Sequence, residues 1–530
     1  MLPPASAKKP LRFIALTSLS AESSQKSGRV TLVGAGPGDP GLITVAGLER
    51  LRRAEVVIYD ALASPALLDL APPEAQRIDA GKRARQHKLT QDQINDLLVQ
   101  HARKGRFVVR LKGGDPYLFG RGAEEALHLA QNGVAFEVIP GITAGMAAPM
   151  AAGIPVTHRQ IASTVTFVTG HEDPTKEASV IDYEPLARLI AAGGTVCFYM
   201  GIARLQAIVA ALIASGLDAD TPAAVIQWGT TARQRSVRAA LAELPKAVQR
   251  EQVGAPAMIV VGKVVAMAEA EPGLDYFTAR PLFGQTIIVT RTRQQASELR
   301  HRLEELGAEV IEAPTIDIEF LPAPSGLDTS TLGNYHWLIL TSANAVEWLA
   351  RWLDAEGLDA RVLGGVRVAV VGQATVEALH RRLGVRADFV PRRGDGESLA
   401  RQMIETFAVA GSRCLLLRGD LAGDAVPRLL GEAGAAAVEH TVYRTRPVDL
   451  LPEAALTALR ERRVHWVTFT SSSTVRNMMG LLAGERDLLH APRLASIGPM
   501  TSQAVREEGF SIAVEAEQPS IAAIVEAIMG

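Results

Sequence analysis

Glycines, carboxylates and hydroxyls in this chain gather just past apolar runs, where open α/β sheets place their ligands. The first such stretch is TLVGAGPGDP, Thr31–Pro40. Gly34 and Gly36 form GxG directly after a strand-like run, and Asp60 closes the next run 24 residues past Gly36. That spacing mimics a dinucleotide fingerprint, in which a helix N-terminus holds the pyrophosphate and an acid binds a ribose hydroxyl. Two features oppose this reading. The third glycine would fall at Asp39, whose carboxylate repels phosphate, and Pro37 and Pro40 interrupt the expected helix start. The plain alternative is a tight turn packed on a neighbouring loop. Further on, Gly113, Gly114 and Asp115 follow FVVRLK, while Ser342 and Ser471 follow WLILT and WVTFT. Hydroxyls in such places cap helices or, with backbone N–H groups, hold anions.

These groups need elements to position them. From Val30 onward, runs such as RVTLVG, EVVIYD, RFVVRL, TVTFVTG, AAVIQWG and AMIVVGKVV alternate with helical patterns. That alternation predicts mostly parallel sheets covered by helices. The stretch AEAEPGLDYFTARPLFGQ, residues 268–285, has no periodicity and reads as a linker or hinge. The second half then opens with TIIVTR and carries an internal repeat. Arg291 maps to Arg418, Thr341 to Thr470 and Gly372 to Gly498, at offsets of 127, 129 and 126 residues. Each copy is a strand–helix unit used three times, so two lobes with ligand-facing strand ends are expected.

Composition narrows the function. The 55 basic and 57 acidic residues leave a net charge of −2, which gives no global case for nucleic acid or an anionic membrane. Cys197 and Cys414 sit alone in apolar runs, so buried thiols in a reducing cytosol are expected, with no structural zinc. No apolar run approaches the roughly 20 residues of a membrane helix. The first 28 residues, rich in Ser, Ala, Pro and Lys, read as a disordered extension. The chain is therefore expected in the cytoplasm, without nucleic-acid or membrane partners and without a metal.

One long set of motifs, in consistent order over about residues 29–266, resembles the tetrapyrrole methylases. The set is VTLVGAGPGDPGLITV, VVIYDAL, AGKR, VVRLKGGDPYLFGRGAEE, IPGITAGMAA, AGIPVTHR, VTGH and YMG. Within that superfamily it is similar to the uroporphyrinogen-III C-methyltransferases. The resemblance implies two α/β subdomains, about 29–141 and 142–267, with S-adenosylmethionine in the cleft between them. It implies cofactor contacts at Pro37, Gly113, Gly114, Asp115, Leu118, Thr143, Ala144, Met200 and Gly229. It also makes Asp60 the proton acceptor and Lys82 the proton donor. Without the resemblance, Asp60 reads as a cap or ion-pair partner, Lys82 as part of a solvated charge run, and Met200 as a strand-end core residue. The implied substrate carries eight carboxylates and needs local positive charge. Candidates are Arg121 and Arg159, with Arg83, Arg85, His87, Lys88, Lys112 and His158. Methylase relatives imply a homodimer through this half.

Residues 283–530 resemble uroporphyrinogen-III synthase through the repeat and through LTSANAV, VYRT, FTSSSTVRN and SIGPMTSQAV. The implied fold class is α/β throughout: a two-domain tetrapyrrole methylase fold, a linker at 268–282, then two flavodoxin-like α/β domains. One of these is discontinuous, 283–317 with 447–530, and 318–446 is inserted in it. The implied reaction takes hydroxymethylbilane, removes its terminal hydroxyl and closes the ring with ring D inverted, using no cofactor. Tyr443 is the candidate near the leaving hydroxyl, with a packed linker aromatic as the alternative. Thr470, Ser471, Ser472 and Thr501, with Ser342 and Asn344 in the other copy, are candidates for substrate carboxylates or simply helix caps. The whole chain thus reads as a bifunctional enzyme making precorrin-2. Two other functions fit parts of the pattern: a second half that binds tetrapyrrole without catalysis, and a nicotinamide-dependent oxidoreductase.

Overall fold

In the computed structural model, residues 28–81, 89–170, 181–291 and 293–530 are described, with backbone alone at 293–297. The predicted tail at 1–28 lies outside the described residues, apart from Gly28. The chain divides into two compact units, Met1–Ala279 and Arg280–Gly530.

The first unit holds two five-stranded sheets. β1 (Arg29–Gly34), β2 (Val56–Tyr59), β3 (Gln76–Asp79), β4 (Phe107–Lys112) and β5 (Ala135–Ile139) are ordered β3-β2-β4-β1-β5. All pairs are parallel, and the inner strands are buried on both faces, as their near-continuous apolar runs require. β6 (Val165–Thr169), β7 (Thr195–Tyr199), β8 (Pro222–Gln227), β9 (Arg235–Ala240) and β10 (Ala257–Val261) are ordered β6-β7-β10-β8-β9. Here only β6 and β7 are parallel; β10 runs against both neighbours and β8–β9 is antiparallel. The run AMIVVGKVV is likewise a strand only to Val261, after which Gly262, with φ +153°, turns it into one helical turn.

The second unit continues with β11 (Thr286–Val289), β12 (Glu309–Glu312), β13 (Ile316–Phe320), β14 (Trp337–Leu340) and β15 (Arg367–Val370). β16 (Arg413–Gly419), β17 (Ala436–Pro447), β18 (Trp466–Phe469), β19 (Arg493–Ser496) and β20 (Val514–Glu515) complete it. One sheet, β12-β11-β18-β19-β20, is all parallel and draws on both ends of the unit. The other, β13-β17-β16-β14-β15, is made from the chain between them. Its β13 and β17, the two segments that cross from one lobe to the other, pair antiparallel from Ile316↔Pro447 to Phe320↔Tyr443.

The stretch read as a hinge is packed, not free. Asp275 lies 3.7 Å from Arg238 and Phe277 is buried in the first unit, while Leu282 joins the core around β11 in the second. Apolar side chains at irregular spacing hold it, which periodicity does not detect. Both cysteines are buried free thiols. Among the described residues no helix is long and apolar enough to cross a membrane.

Candidate active sites

The glycine-rich turn is a junction of main chains. Gly36 and Gly114 exchange two backbone hydrogen bonds, Gly114 N–H to Gly36 O at 2.7 Å and Gly36 N–H to Gly114 O at 3.3 Å. A Cβ on Gly141 would lie 2.2 Å from Gly114 O, so the third segment touches the same point. Gly114 has φ +67°, and a Cβ there would meet nothing within 4 Å. Its glycine serves the left-handed backbone, and its bare main chain faces open space. Asp39 does not aim into this space: its Oδ1 accepts from Gly41 N at 2.8 Å, and its own N–H donates to Thr230 Oγ1. The first α-helix starts only at Val45, capped by Thr44. The GxG motif is thus followed by a single 3-10 turn, Pro40–Leu42, and not by the α-helix N-terminus that a dinucleotide needs.

The remaining cofactor candidates gather around this junction. Asp115 braces it, with Oδ1 accepting from Tyr117 N at 2.8 Å and Oδ2 from Gly141 N at 3.0 Å. Thr143 stands at the N-cap position of the helix Ala144–Ala151, but its Oγ1 does not cap the helix and instead shares a 2.6 Å hydrogen bond with Tyr199 OH. That hydroxyl also accepts from Gly145 N at 2.7 Å, and burial pushes the Tyr199 phenol above its ordinary pKa. The Tyr199 ring packs on Phe119, 5.0 Å between centroids, so the GDP loop of the first subdomain meets β7 of the second. Tyr199 stands in the quoted YMG, where its type and position alone do not mark it as a site residue. Met200 has φ +56° and is 50% exposed, which replaces the core-residue reading with a strained, outward side chain. Gly229 sits between Trp228 (φ +50°) and Thr230 (φ +67°), and a Cβ on it would strike Ala148 Cβ at 2.3 Å. Pro37, Leu118 and Ala144 are half-buried.

Asp60 follows β2 at the same sheet end. Its carboxylate, 31% exposed, pairs with the buried Arg110 guanidinium. Arg110 Nε also donates to Glu125 Oε1 at 3.2 Å, and Lys112 Nζ donates to that oxygen at 2.8 Å. Burial opposes the Arg110 charge, but Asp60 and Glu125 overcome it and hold the guanidinium above its ordinary value. Burial, then Arg110, push the Lys112 ammonium below its ordinary value. Lys112 was expected among the cations that meet a polycarboxylate; at 2% exposed and bound to Glu125, it is an internal ion-pair partner. Glu125 lies 13 residues away across a loop, so no local pattern announces the pair. Arg121 and Arg159 are exposed; Arg121 pairs with Glu124 at 2.6 Å. His158 is half-buried, its Nδ1 accepting from Gln160 N. Lys82, with Arg83, Arg85, His87 and Lys88, lies outside the described residues.

In the second unit the candidates form two sets, one per lobe. Tyr443, on β17, donates from its hydroxyl to Ser342 Oγ at 2.9 Å, and Ser342 caps the helix Ala343–Ala355 through Ala345 N at 3.1 Å. A Cβ on Gly419 would lie 2.5 Å from Tyr443 Cζ, so the phenol rests directly on bare backbone. Asn344 is buried in the first turn of that helix. In the other lobe Ser471 caps Ser472–Leu481 through Thr474 N at 3.2 Å, beside half-buried Thr470. Ser472 Oγ donates to Met500 O at 3.0 Å and joins this turn to the first turn of the helix Pro499–Glu507, where Thr501 is buried. The capping role expected of Ser342 and Ser471 is thus realised. At the repeat-related strand ends, Arg418 pairs with Glu439, whereas burial pushes the Arg291 guanidinium down.

Two α/β units with sites at their strand ends define a two-module enzyme architecture, and comparison with known proteins names both modules. The profile of the Tetrapyrrole (Corrin/Porphyrin) Methylases matches residues 29–245, and that of Uroporphyrinogen-III synthase HemD matches 297–526. The porphyrin biosynthesis protein HemD of Ruminiclostridium josui is 34% identical over 505 residues, 95% of this chain and 98% of that one. An S-adenosyl-L-methionine-dependent uroporphyrinogen III methyltransferase of Methanosarcina barkeri is 49% identical over 47% of this chain and 98% of its own. A uroporphyrinogen-III C-methyltransferase of Bacillus subtilis is 41% identical over 68% of this chain and 73% of its own. The chain belongs to the tetrapyrrole methylase family in its first part and to the uroporphyrinogen-III synthase family in its second. It is a bifunctional enzyme of tetrapyrrole biosynthesis, combining methyltransferase and synthase modules.

Proposed function

We propose that the second module, 283–530, closes hydroxymethylbilane to uroporphyrinogen III with ring D inverted. The first module, 29–267, then methylates that product at C2 and C7 to give precorrin-2, in the cytoplasm and as a homodimer through the methylase half. The observation that carries the methylase reading is the bare Gly114 backbone at the end of β4, beside Asp60 at the end of β2. Around it, Asp39 and Asp115 are turned onto backbone N–H groups. Such a pocket fits a ligand with a cation and a carboxylate and no phosphate. S-adenosylmethionine supplies an electrophilic methyl group on its sulfonium. Pro37, Gly113, Gly114, Asp115, Leu118, Thr143, Ala144, Met200 and Gly229 would hold it, and the Methanosarcina relative's name supports that donor.

The chain's own groups do the rest. A pyrrole carbon would form the new C–C bond as the methyl–sulfur bond breaks and the neutral thioether leaves, and the ring would then lose a proton, which Asp60 accepts. Lys82 is read as the proton donor. Most of the acceleration comes from holding the reacting carbon in line with the methyl group. In the synthase module, Tyr443 assists departure of the terminal hydroxyl, and Ser342, Asn344, Thr470, Ser471 and Thr501 hold substrate carboxylates. Arg121 and Arg159 do the same for the methylase.

Asp60→Asn and Tyr443→Phe separate the modules. Asp60→Asn is expected to lower methylation at least about 100-fold, with isomer III formation from hydroxymethylbilane unchanged. Tyr443→Phe is expected to do the reverse. Loss of both activities in either variant would refute the assignment of that residue.

A further inference from the structure

Arg110 sits on β4, the central strand of its sheet, and is 2% exposed. A guanidinium there is expensive to desolvate, and apolar side chains of similar volume generally serve stability as well or better. Its position needs another reason. Each of its three nitrogens donates: Nη2 to Asp60 Oδ1, Nε to Glu125 Oε1 at 3.2 Å, and Nη1 to Ile58 O and Leu111 O at 3.3 and 3.4 Å. Glu125, fully buried in the first turn of the helix Gly122–Gln131, also receives Lys112 Nζ at 2.8 Å and Gln91 Nε2 at 3.2 Å. The result is a chain of alternating charges, Asp60, Arg110, Glu125 and Lys112, with no net charge. Three members are inside the protein; Asp60 alone reaches the surface.

Among the described residues, the charged groups near Asp60 come from three elements. β4 brings Arg110 and Lys112, and the helix Gly122–Gln131 brings Glu125. β3 ends at Asp79, level with Tyr59 in the ladder, and the Asp79 Oδ1 accepts from Gly81 N at 2.8 Å. Among the described residues, Arg110 is the group that holds the Asp60 carboxylate.

We propose that Arg110 is a positioning residue for methyl transfer: its planar fork, locked from behind by Glu125 and Lys112, fixes the Asp60 carboxylate where the methylated ring releases its proton. This rests on the reading of Asp60 as proton acceptor. A lysine cannot replace the fork, because one ammonium does not span Asp60, Glu125 and two carbonyls in that geometry.

The test uses full-length Arg110→Lys, Arg110→Gln and Asp60→Asn. Measured are kcat and KM for uroporphyrinogen III, S-adenosylmethionine binding by calorimetry, and the solvent deuterium isotope effect on single-turnover methylation. Both Arg110 variants are expected to lose roughly 10- to 100-fold in kcat, with methyl-donor affinity within about twofold of the parent. Their solvent isotope effect should rise as proton transfer becomes slower. Three results overturn the proposal: full kcat in Arg110→Lys, an unchanged isotope effect in both variants, or weakened methyl-donor binding that accounts for the whole loss. If neither variant folds, Lys112→Met, which touches Asp60 only through the chain, is expected to raise the isotope effect with a smaller loss of kcat. A parental isotope effect there overturns the proposal equally. Asp60→Asn separates the two ideas. Parental turnover in that variant removes the proton-acceptor reading itself, whereas an inactive Asp60→Asn beside parental Arg110 variants removes only the role of Arg110.

Discussion

At the scale of single residues, the Tyr443 hydroxyl is placed by what is missing beneath it. Gly419 lets the phenol lie on the backbone, and a methyl group there would sit 2.5 Å from Cζ and 2.7 Å from Oη. Gly419→Ala is therefore expected to displace the hydroxyl from Ser342 and lower isomer III formation by about 10-fold or more. Methylation of added uroporphyrinogen III should be unchanged in the same preparation. A synthase rate equal to the parent's, measured by separating the oxidised product isomers, would show that the contact is not needed. Tyr443 and Ser342 were legible as types, in VYRT and LTSANAV, but their 2.9 Å contact joins residues 101 positions apart. Asp60 was legible as a strand-end acid. Its buried partner was not, because nothing in the apolar run VVRLK marks Arg110 as an internal ion-pair partner. Only the fold puts Glu125 behind them.

At the scale of elements, alternation of apolar runs and helices located most strands, because buried strands and amphipathic helices leave different periods. Direction is less legible. The second sheet departs from the parallel expectation since a fully buried run carries no sign of which way it points. One cue did exist: only seven residues separate β8 from β9, too few for a crossover helix, so an antiparallel pair is required. The first sheet has its own edge clamp. Glu137, on β5, accepts from Arg50 Nε at 2.6 Å and from Thr31 Oγ1 at 2.9 Å. The hydrogen bond from Arg50, with that from Thr31, holds its carboxylate below the ordinary range against the pull of partial burial. A folded-state pKa depressed in this way adds stability above the unfolded value, and that contribution is lost as pH falls through the folded value. Glu137→Gln is thus expected to melt lower than the parent at neutral pH, with the gap closing as pH drops below the ordinary carboxylate range. A gap independent of pH in paired thermal melts would contradict the assignment.

At the scale of the whole molecule, each unit carries its own hydrophobic cores, and within the second unit one sheet is built from the two ends of its chain. The internal repeat made two similar lobes legible but not this exchange, in which β11 of the first copy pairs with β18 of the second; the discontinuous domain came only from the resemblance to the synthases. The packed segment around Asp275 and Phe277 was not legible, because few apolar residues without period resemble a linker. The functional claim also lives at this scale: one chain performs two consecutive steps on one macrocycle. The most direct test gives the purified full-length protein hydroxymethylbilane under anaerobic conditions, with and without S-adenosylmethionine, and separates the oxidised products by isomer and methyl content. Isomer III is expected without the methyl donor and a dimethylated product with it. Isomer I alone in the first case, or isomer III without added methyl groups in the second, would contradict that expectation.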